Sequence, residues 1–247
     1  LIWRGVGTTA NIIFLNTPSP RFYAVGGGTR KNRSSVKATR PLVLGITGNI
    51  ATGKSLAAGW LADRGATVID SDRIVHDLYG PEHPVAWRVA DRFGADLLGP
   101  GGVDRARLGA LVFGNPAALA CLEAIVHPAV FAAVGAVIAR AHPATPHVIE
   151  AIKLVEGQNV RMLDALWVLD SPRDLQIKRL QRDRKLSAEE AGLRIDAQSP
   201  AAEKLELFRS RRPGIPARIL PNHGSLSMLK RSVELEWDRF LAYRAGQ

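Results

Sequence analysis

The sequence predicts an α/β fold: a doubly wound parallel sheet flanked by helices, with a helical insert beside it and a small lid. Three observations predict it. Short, continuous apolar runs alternate along the chain with longer segments of helical character. The first two runs and the helix between them fit within about 30 residues, the size of one βαβ unit. The stretch 73–144, between the second and third runs, is mainly helical and holds too many helices for a single crossover, so it forms a separate subdomain.

The elements follow in order. Leu42–Thr47 (LVLGIT) is apolar throughout, as a strand buried on both faces is. A Gly-rich turn leads to a helix over Lys54–Arg64, and Gly65 stands where a C-cap glycine belongs. Thr67–Ile69 is a second buried strand, ending in Asp70-Ser71-Asp72. Helices are expected over Val85–Phe93, Arg105–Phe113 and Ala117–Arg140, the first two parted by Gly99-Pro100-Gly101-Gly102. Strands return at His147–Ala151 and Ala165–Leu169. Helix Arg173–Arg184 has Pro172 near its first turn, where proline is tolerated. Ser187 with Glu190 three residues on reads as a capping box opening a helix over Ala188–Gln198. An amphipathic helix over Ser227–Tyr243 closes the chain.

Composition bounds the function. The 247 residues are 46% hydrophobic and 23% charged, an ordinary globular balance. Cys121 is the single cysteine, so no intrachain disulfide and no C-x-x-C metal site can form, and a cytoplasmic setting is expected. No long uninterrupted apolar run is evident, so no membrane span is expected. Net charge is +10, but residues 1–40 hold seven basic residues and no acid, leaving +3 for the rest. The excess therefore sits in a Gly/Ser/Thr-rich leader, not on a patterned nucleic-acid face. Residues 1–40 read as a disordered basic extension: a translated upstream region, an organelle transit peptide or an expression remnant. Residues 41–247 form one domain: a core of 41–72, 145–186 and 217–247, the insert 73–144, and a lid over about 179–200.

The most informative motif lies between the first strand and helix. Gly48-Asn49-Ile50-Ala51-Thr52-Gly53-Lys54-Ser55 matches G-x-x-x-x-G-K-[ST], the phosphate loop of P-loop NTPases. Glycines let the backbone curl until successive N–H groups point at one anion, and the following helix aims its positive end at the same place. Lys54 then reaches the β- and γ-phosphates of ATP, and the Ser55 hydroxyl can bind Mg²⁺. The strand before the motif and the helix after it supply the context that a chance match lacks. No N-K-x-D is present to read guanine, the chain is short for a motor, and a small P-loop protein with a helical insert and an Arg-rich late segment suggests a small-molecule kinase. Asp72 sits just past the second strand, at the sheet edge where such folds bind ligands; it is a carboxylate for the acceptor hydroxyl or a helix N-cap.

Further segments resemble the dephospho-CoA kinase family. Thr47–Ser55 (TGNIATGKS) looks like its loop, and Val68–Asp72 (VIDSD) looks like its V-I-D-A-D element. Phe93-Gly94, Asp104-Arg105 and Val126-His127-Pro128 follow in the family's order. Glu150–Glu156 (EAIKLVE) stands where a P-L-L-F-E-like element belongs, with Ile152-Lys153 in place of Pro-Leu. Lys178–Asp183, Ala197-Gln198 and Lys204 resemble the lid, and Asn222–Leu226 resembles the stretch near adenine. The resemblance covers about Leu42–Leu241.

It implies transfer of the ATP γ-phosphoryl, with Mg²⁺, to the ribose 3′-hydroxyl of dephospho-CoA, the last step of coenzyme A synthesis. Asp72 would then be the base. Arg179 and Arg182 would clamp phosphate oxygens, unless they form a solvated basic face. Arg105 and His127 would contact the acceptor, His127 otherwise being structural. Lys153 is a candidate for a substrate phosphate or a plain surface lysine. Gln198 and Asn222 are a lid contact and a nucleotide contact, or caps. ATP and dephospho-CoA are the expected partners of a monomer, with no nucleic acid or membrane involved. The rival readings are a kinase for nucleosides, nucleotides or shikimate-like alcohols, a nucleic-acid binder with a vestigial loop, and an inactive kinase. Leu205–Pro221 departs from the family pattern: it reads as a basic loop or a garbled frame, with the fifth strand reduced to Ala217–Leu220.

Overall fold

The computed structural model describes residues 40–245, so the expected extension lies, but for Arg40, outside the described residues. In chain order the elements are β1 (Val43–Gly48), α1 (Lys54–Asp63), β2 (Thr67–Asp70), α2 (Ser71–Leu78) and α3 (Pro84–Phe93). A two-residue hairpin follows, β3 (Leu98–Gly99) and β4 (Gly102–Val103), then α4 (Arg105–Val112) and α5 (Pro116–Ala139). β5 (His147–Glu150), β6 (Ala165–Asp170), α6 (Arg173–Arg184), α7 (Ala188–Asp196), α8 (Ala201–Arg211), β7 (Ala217–Pro221) and α9 (Leu226–Ala245) complete it.

Five strands form one parallel sheet in the order β2-β5-β1-β6-β7. β1 is its centre, and the chain leaves it to either side, so the carboxyl end of β1 faces the crevice where the winding reverses. Successive strand residues feed opposite cores, as the two-residue period requires. Leu166 and Val168 pack with α5 and α8 on one face, while Trp167 and Leu169 pack with α1 and α9 on the other. Burial on both faces explains why these strands read as unbroken apolar runs.

Three differences from the sequence reading have physical reasons. First, the sequence offers Asp72 as a cap for the helix after β2, but α2, Ser71–Leu78, is capped by Asp70, whose carboxylate accepts from the N–H of Asp72 and of Arg73, both at 3.0 Å. Second, Leu205–Pro221 is neither a loop nor garbled. Its first part continues α8, whose Leu205 and fully buried Phe208 fill the sheet core, and β7 pairs with β6 in full parallel register from Ala217 to Pro221. Its basic residues serve the fold: Arg209 pairs with Glu206, Arg211 donates to the Val155 carbonyl, and Arg212 donates to the carbonyls of Val160, Arg161 and Leu163. Phe208→Ala is therefore expected to destabilise the domain by about 3–5 kcal/mol, measured by urea unfolding, whereas a loop residue would cost under about 0.5. Third, α5 is, among the described residues, a helix long and apolar enough by length and composition to cross a membrane. Its Val126, Val130 and Val134 are buried in the core against the sheet.

Candidate active site

The phosphate loop takes its shape from two glycines. Gly48 ends β1 at φ +140°, and a Cβ there would lie 2.2 Å from the Leu169 carbonyl oxygen of β6. Gly53 opens α1 at φ +97°, where a Cβ would meet the Asn222 amide nitrogen at 2.6 Å. Gly53 gives α1 no side-chain cap, so the first helical N–H groups remain for an anion. Between them Ala51 holds φ +61°, a left-handed conformation that a residue with a side chain keeps only when its surroundings impose it.

Those surroundings are visible. Thr52 Oγ1 donates to the Asn49 carbonyl at 2.8 Å and closes the curl. Arg179 of α6 donates to the Ala51 carbonyl and to Ser171 Oγ, each at 2.9 Å, with a longer contact to Asn222 Oδ1 at 3.3 Å. Asn222, 3% exposed after β7, donates through Nδ2 to the Thr52 carbonyl at 2.9 Å. Gln198 accepts the Ile50 N–H at 2.8 Å. Arg179, Gln198 and Asn222 thus brace the loop from behind or from the side, and neither Arg179 nor Asn222 lines the cleft in front of it.

That cleft has a volume of about 870 Å³. Its polar end is formed by the loop with Lys54, Ser55, Asp70, Asp72 and Glu150; its far end by Arg105, His127 and Lys153, over the apolar side chains of Leu108, Val112, Leu122 and Val126. Lys54 is buried, with Nζ donating to the Asn49 carbonyl at 3.0 Å. Burial lowers its pKa to about 8, against the opposing pull of Glu150 and Asp72. Asp72 is exposed, but to the cleft: protein crowds it on its other sides. That crowding, then the Asp70 charge, pushes its carboxyl up, while Lys54 and the Ile152 N–H pull it down. With Asp70 serving as the cap, the Asp72 carboxylate is left for the cleft. Glu150, at the end of β5, accepts the Ser55 hydroxyl proton at 2.6 Å, and burial raises its pKa.

The arginine pair is not a pair. Arg182 points to solvent and is ion-paired with its neighbour Asp183 at 2.6 Å, so it does not share the inward position of Arg179. Arg184 lines the cleft instead, one residue before the αL residue Lys185 that ends α6. Lys153 lines the cleft but its ammonium is held by Glu123 of α5 at 3.0 Å. Glu150 and Arg184 were missed. An acid at the carboxyl end of a strand beside the loop was the signal for the first; for the second, only the turn geometry of α6 could have shown it.

Fold and cleft together define a P-loop kinase of small molecules: a triphosphate cradle at the switch point of a parallel sheet, with a carboxylate one strand away and a helical wall for an acceptor. The dephospho-CoA kinase family model matches residues 42–210. The dephospho-CoA kinase of Moorella thermoacetica is 35% identical over 82% of this chain and 94% of the relative, and that of Carboxydothermus hydrogenoformans 38% over 77% and 90%. A crystal structure from Thermus thermophilus superposes with a TM-score of 0.61 at 29% identity, covering 81% of this chain and 98% of that one. The chain belongs to the dephospho-CoA kinase family.

Proposed function

We propose that this protein transfers the γ-phosphoryl group of ATP to the ribose 3′-hydroxyl of dephospho-CoA, giving coenzyme A. The observation that carries the reading is the arrangement of Lys54, Asp72 and Glu150 around one end of a cleft whose other end is cationic and apolar. Loop amides and Lys54 hold the β- and γ-phosphates. Asp72 hydrogen-bonds the acceptor hydroxyl, aligns its oxygen with the phosphorus and takes its proton as the new P–O bond forms. A carboxyl held above the usual aspartate value is a better proton acceptor than an ordinary aspartate.

The residues fit Mg²⁺. The Ser55 hydroxyl donates a hydrogen bond to Glu150, which leaves its lone pairs for a cation, and this cation is commonly held by one or two protein oxygens plus substrate phosphates. Ser55 would help to hold it, and it would supply Lewis-acid neutralisation of phosphate charge. Arg105, His127 and Lys153 face the region for the rest of the acceptor, whose pyrophosphate calls for cations and whose arm calls for an apolar wall.

We also propose that the enzyme works in the cytoplasm as a monomer. Arg211 and Arg212, at the end of α8, donate to main-chain carbonyls, which weighs against a nucleic-acid role for them. On α5, Glu123 and His127 line the cleft, which fits a helix of a soluble domain. The test is a panel of acceptors with ATP and Mg²⁺. Coenzyme A should form from dephospho-CoA, with nucleosides and shikimate-like alcohols poor substrates. Preference for one of those alcohols would overturn the reading.

A further inference from the structure

We propose that Ser171, which lies outside both the cleft and the phosphate loop, is a positioning residue that sets the aim of the loop's amides, given that this loop holds the phosphates of ATP. Ser171 directly follows β6 and is 4% exposed. Its hydroxyl has one proton to give and two lone pairs to offer. The proton goes to the Asn222 carbonyl at 2.8 Å, and a lone pair accepts from Arg179 Nη1 at 2.9 Å. The Ser171 carbonyl in turn accepts from Gln176 Nε2 at 2.7 Å, and the Asn222 N–H donates to the Asp170 carbonyl at 2.7 Å. The hydroxyl is thereby fixed where the parallel strands β6 and β7 end side by side.

Both partners of that hydroxyl end on the loop. The same Nη1 of Arg179 donates to the Ala51 carbonyl at 2.9 Å, and Asn222 Nδ2 donates to the Thr52 carbonyl at 2.9 Å. These are carbonyls of two successive peptide units. In a planar trans peptide the C=O and the following N–H point in opposite directions, so gripping a carbonyl from behind aims the amide in front. Holding the Ala51 carbonyl aims the Thr52 N–H at the Asn49 carbonyl, 3.3 Å away, which tightens the curl. Holding the Thr52 carbonyl aims the Gly53 N–H away from Asn222, and Gly53 lines the cleft whereas Thr52 is wholly buried. The left-handed backbone of Ala51 is held in place by the same capture of its carbonyl. Between Arg179 and Asn222 themselves the contacts are longer, 3.3 Å to the Asn222 carbonyl and to its Oδ1. The Ser171 hydroxyl is thus the short link that sets one grip against the other. Main-chain carbonyls are fixed well by such links because hydrogen bonds weaken steeply with misalignment.

Ser171→Ala in the full chain should weaken binding of ATP and of inorganic tripolyphosphate by the same factor, roughly 3- to 10-fold, the net worth of one neutral hydrogen bond. KM for dephospho-CoA should stay unchanged, and kcat at saturating ATP should fall less than kcat/KM for ATP. Asn222→Leu, of similar volume, removes the grip on Thr52 outright. It should weaken tripolyphosphate binding roughly 10- to 100-fold, the worth of one hydrogen bond to a charged group, and it carries the test if Ser171→Ala fails to fold.

Tripolyphosphate binding that is unchanged in the variants would overturn the role of Ser171. So would a loss confined to ATP, which would make Ser171 a support of the base rather than of the phosphates, or an equal loss for dephospho-CoA, which would mean general loosening. The unchanged chain, titrated alongside, separates the two failures. If it binds neither ATP nor tripolyphosphate, the reading of the loop falls; if it binds both and the variants match it, only the link through Ser171 falls.

Discussion

Asp72→Asn is expected to lower kcat with ATP and dephospho-CoA by about 10²- to 10⁴-fold, the usual worth of a general base, with ATP affinity close to that of the unchanged chain. Asn keeps the shape and can still hydrogen-bond the hydroxyl, but it cannot take the proton. The loop that binds ATP is braced by Thr52, Arg179, Gln198 and Asn222, none of which touches Asp72, so the cradle should survive. The pH profile gives a second check. Because burial and the Asp70 charge raise this carboxyl, the acidic limb of kcat/KM should lie above the range of an ordinary aspartate. Stability should move the opposite way to activity. A carboxyl whose folded pKa is raised favours folding below its unfolded pKa, and that contribution is gone once pH has risen through the folded one. Asn carries no charge at any pH, so the variant should melt slightly higher than the unchanged chain at neutral pH. Full turnover by Asp72→Asn in a steady-state assay would remove Asp72 from the chemistry.

What the sequence made legible follows the range of the forces involved. Strand runs and the loop are local: Leu42–Thr47 is apolar because it is buried on both faces, and Gly48 and Gly53 are required by backbone angles and close contacts. Ser187 and Glu190 form the expected capping box because that interaction spans only one turn. What stayed hidden depends on contacts far apart in sequence. Asp70 and Asp72 are equivalent candidates for a cap until the entry of α2 is known. Arg179 and Arg182 look alike on a helical wheel, but one turns inward to a carbonyl 128 residues away and the other pairs with its neighbour. The basic run Arg209–Arg212 looked like a surface loop because its carbonyl partners lie roughly 50 residues earlier, around 155–163. The family resemblance supplied the substrate, which no pattern of period or charge could have given.

Lys54→Met should be the other large effect, and its pH behaviour separates charge from shape. Removing a preorganised donor that meets developing charge costs about 10²–10³ in kcat, and here the same ammonium also holds ATP in the ground state, so affinity should fall as well. Burial leaves Lys54 with a pKa of about 8 in the free protein, so just above neutrality the site is already losing its positive charge. ATP binds the protonated form better, so by linkage the nucleotide raises that pKa and takes up a proton when it binds above it. The Kd for ATP should accordingly weaken with rising pH beyond about 8 in the unchanged chain, approaching tenfold per pH unit. Met has no proton to lose, so its weaker Kd should be flat over the same range. Stability without nucleotide carries the matching sign. A lysine whose folded pKa is lowered leaves the unfolded chain holding more protons, so folding stability rises as pH climbs through that value, and Lys54→Met should remove this rise. Calorimetry of ATP binding on both proteins from neutral to alkaline pH measures the affinity and the proton uptake, and thermal unfolding without nucleotide over the same range measures the stability. A wild-type Kd that does not change with pH would mean that the buried ammonium is not what holds the phosphates.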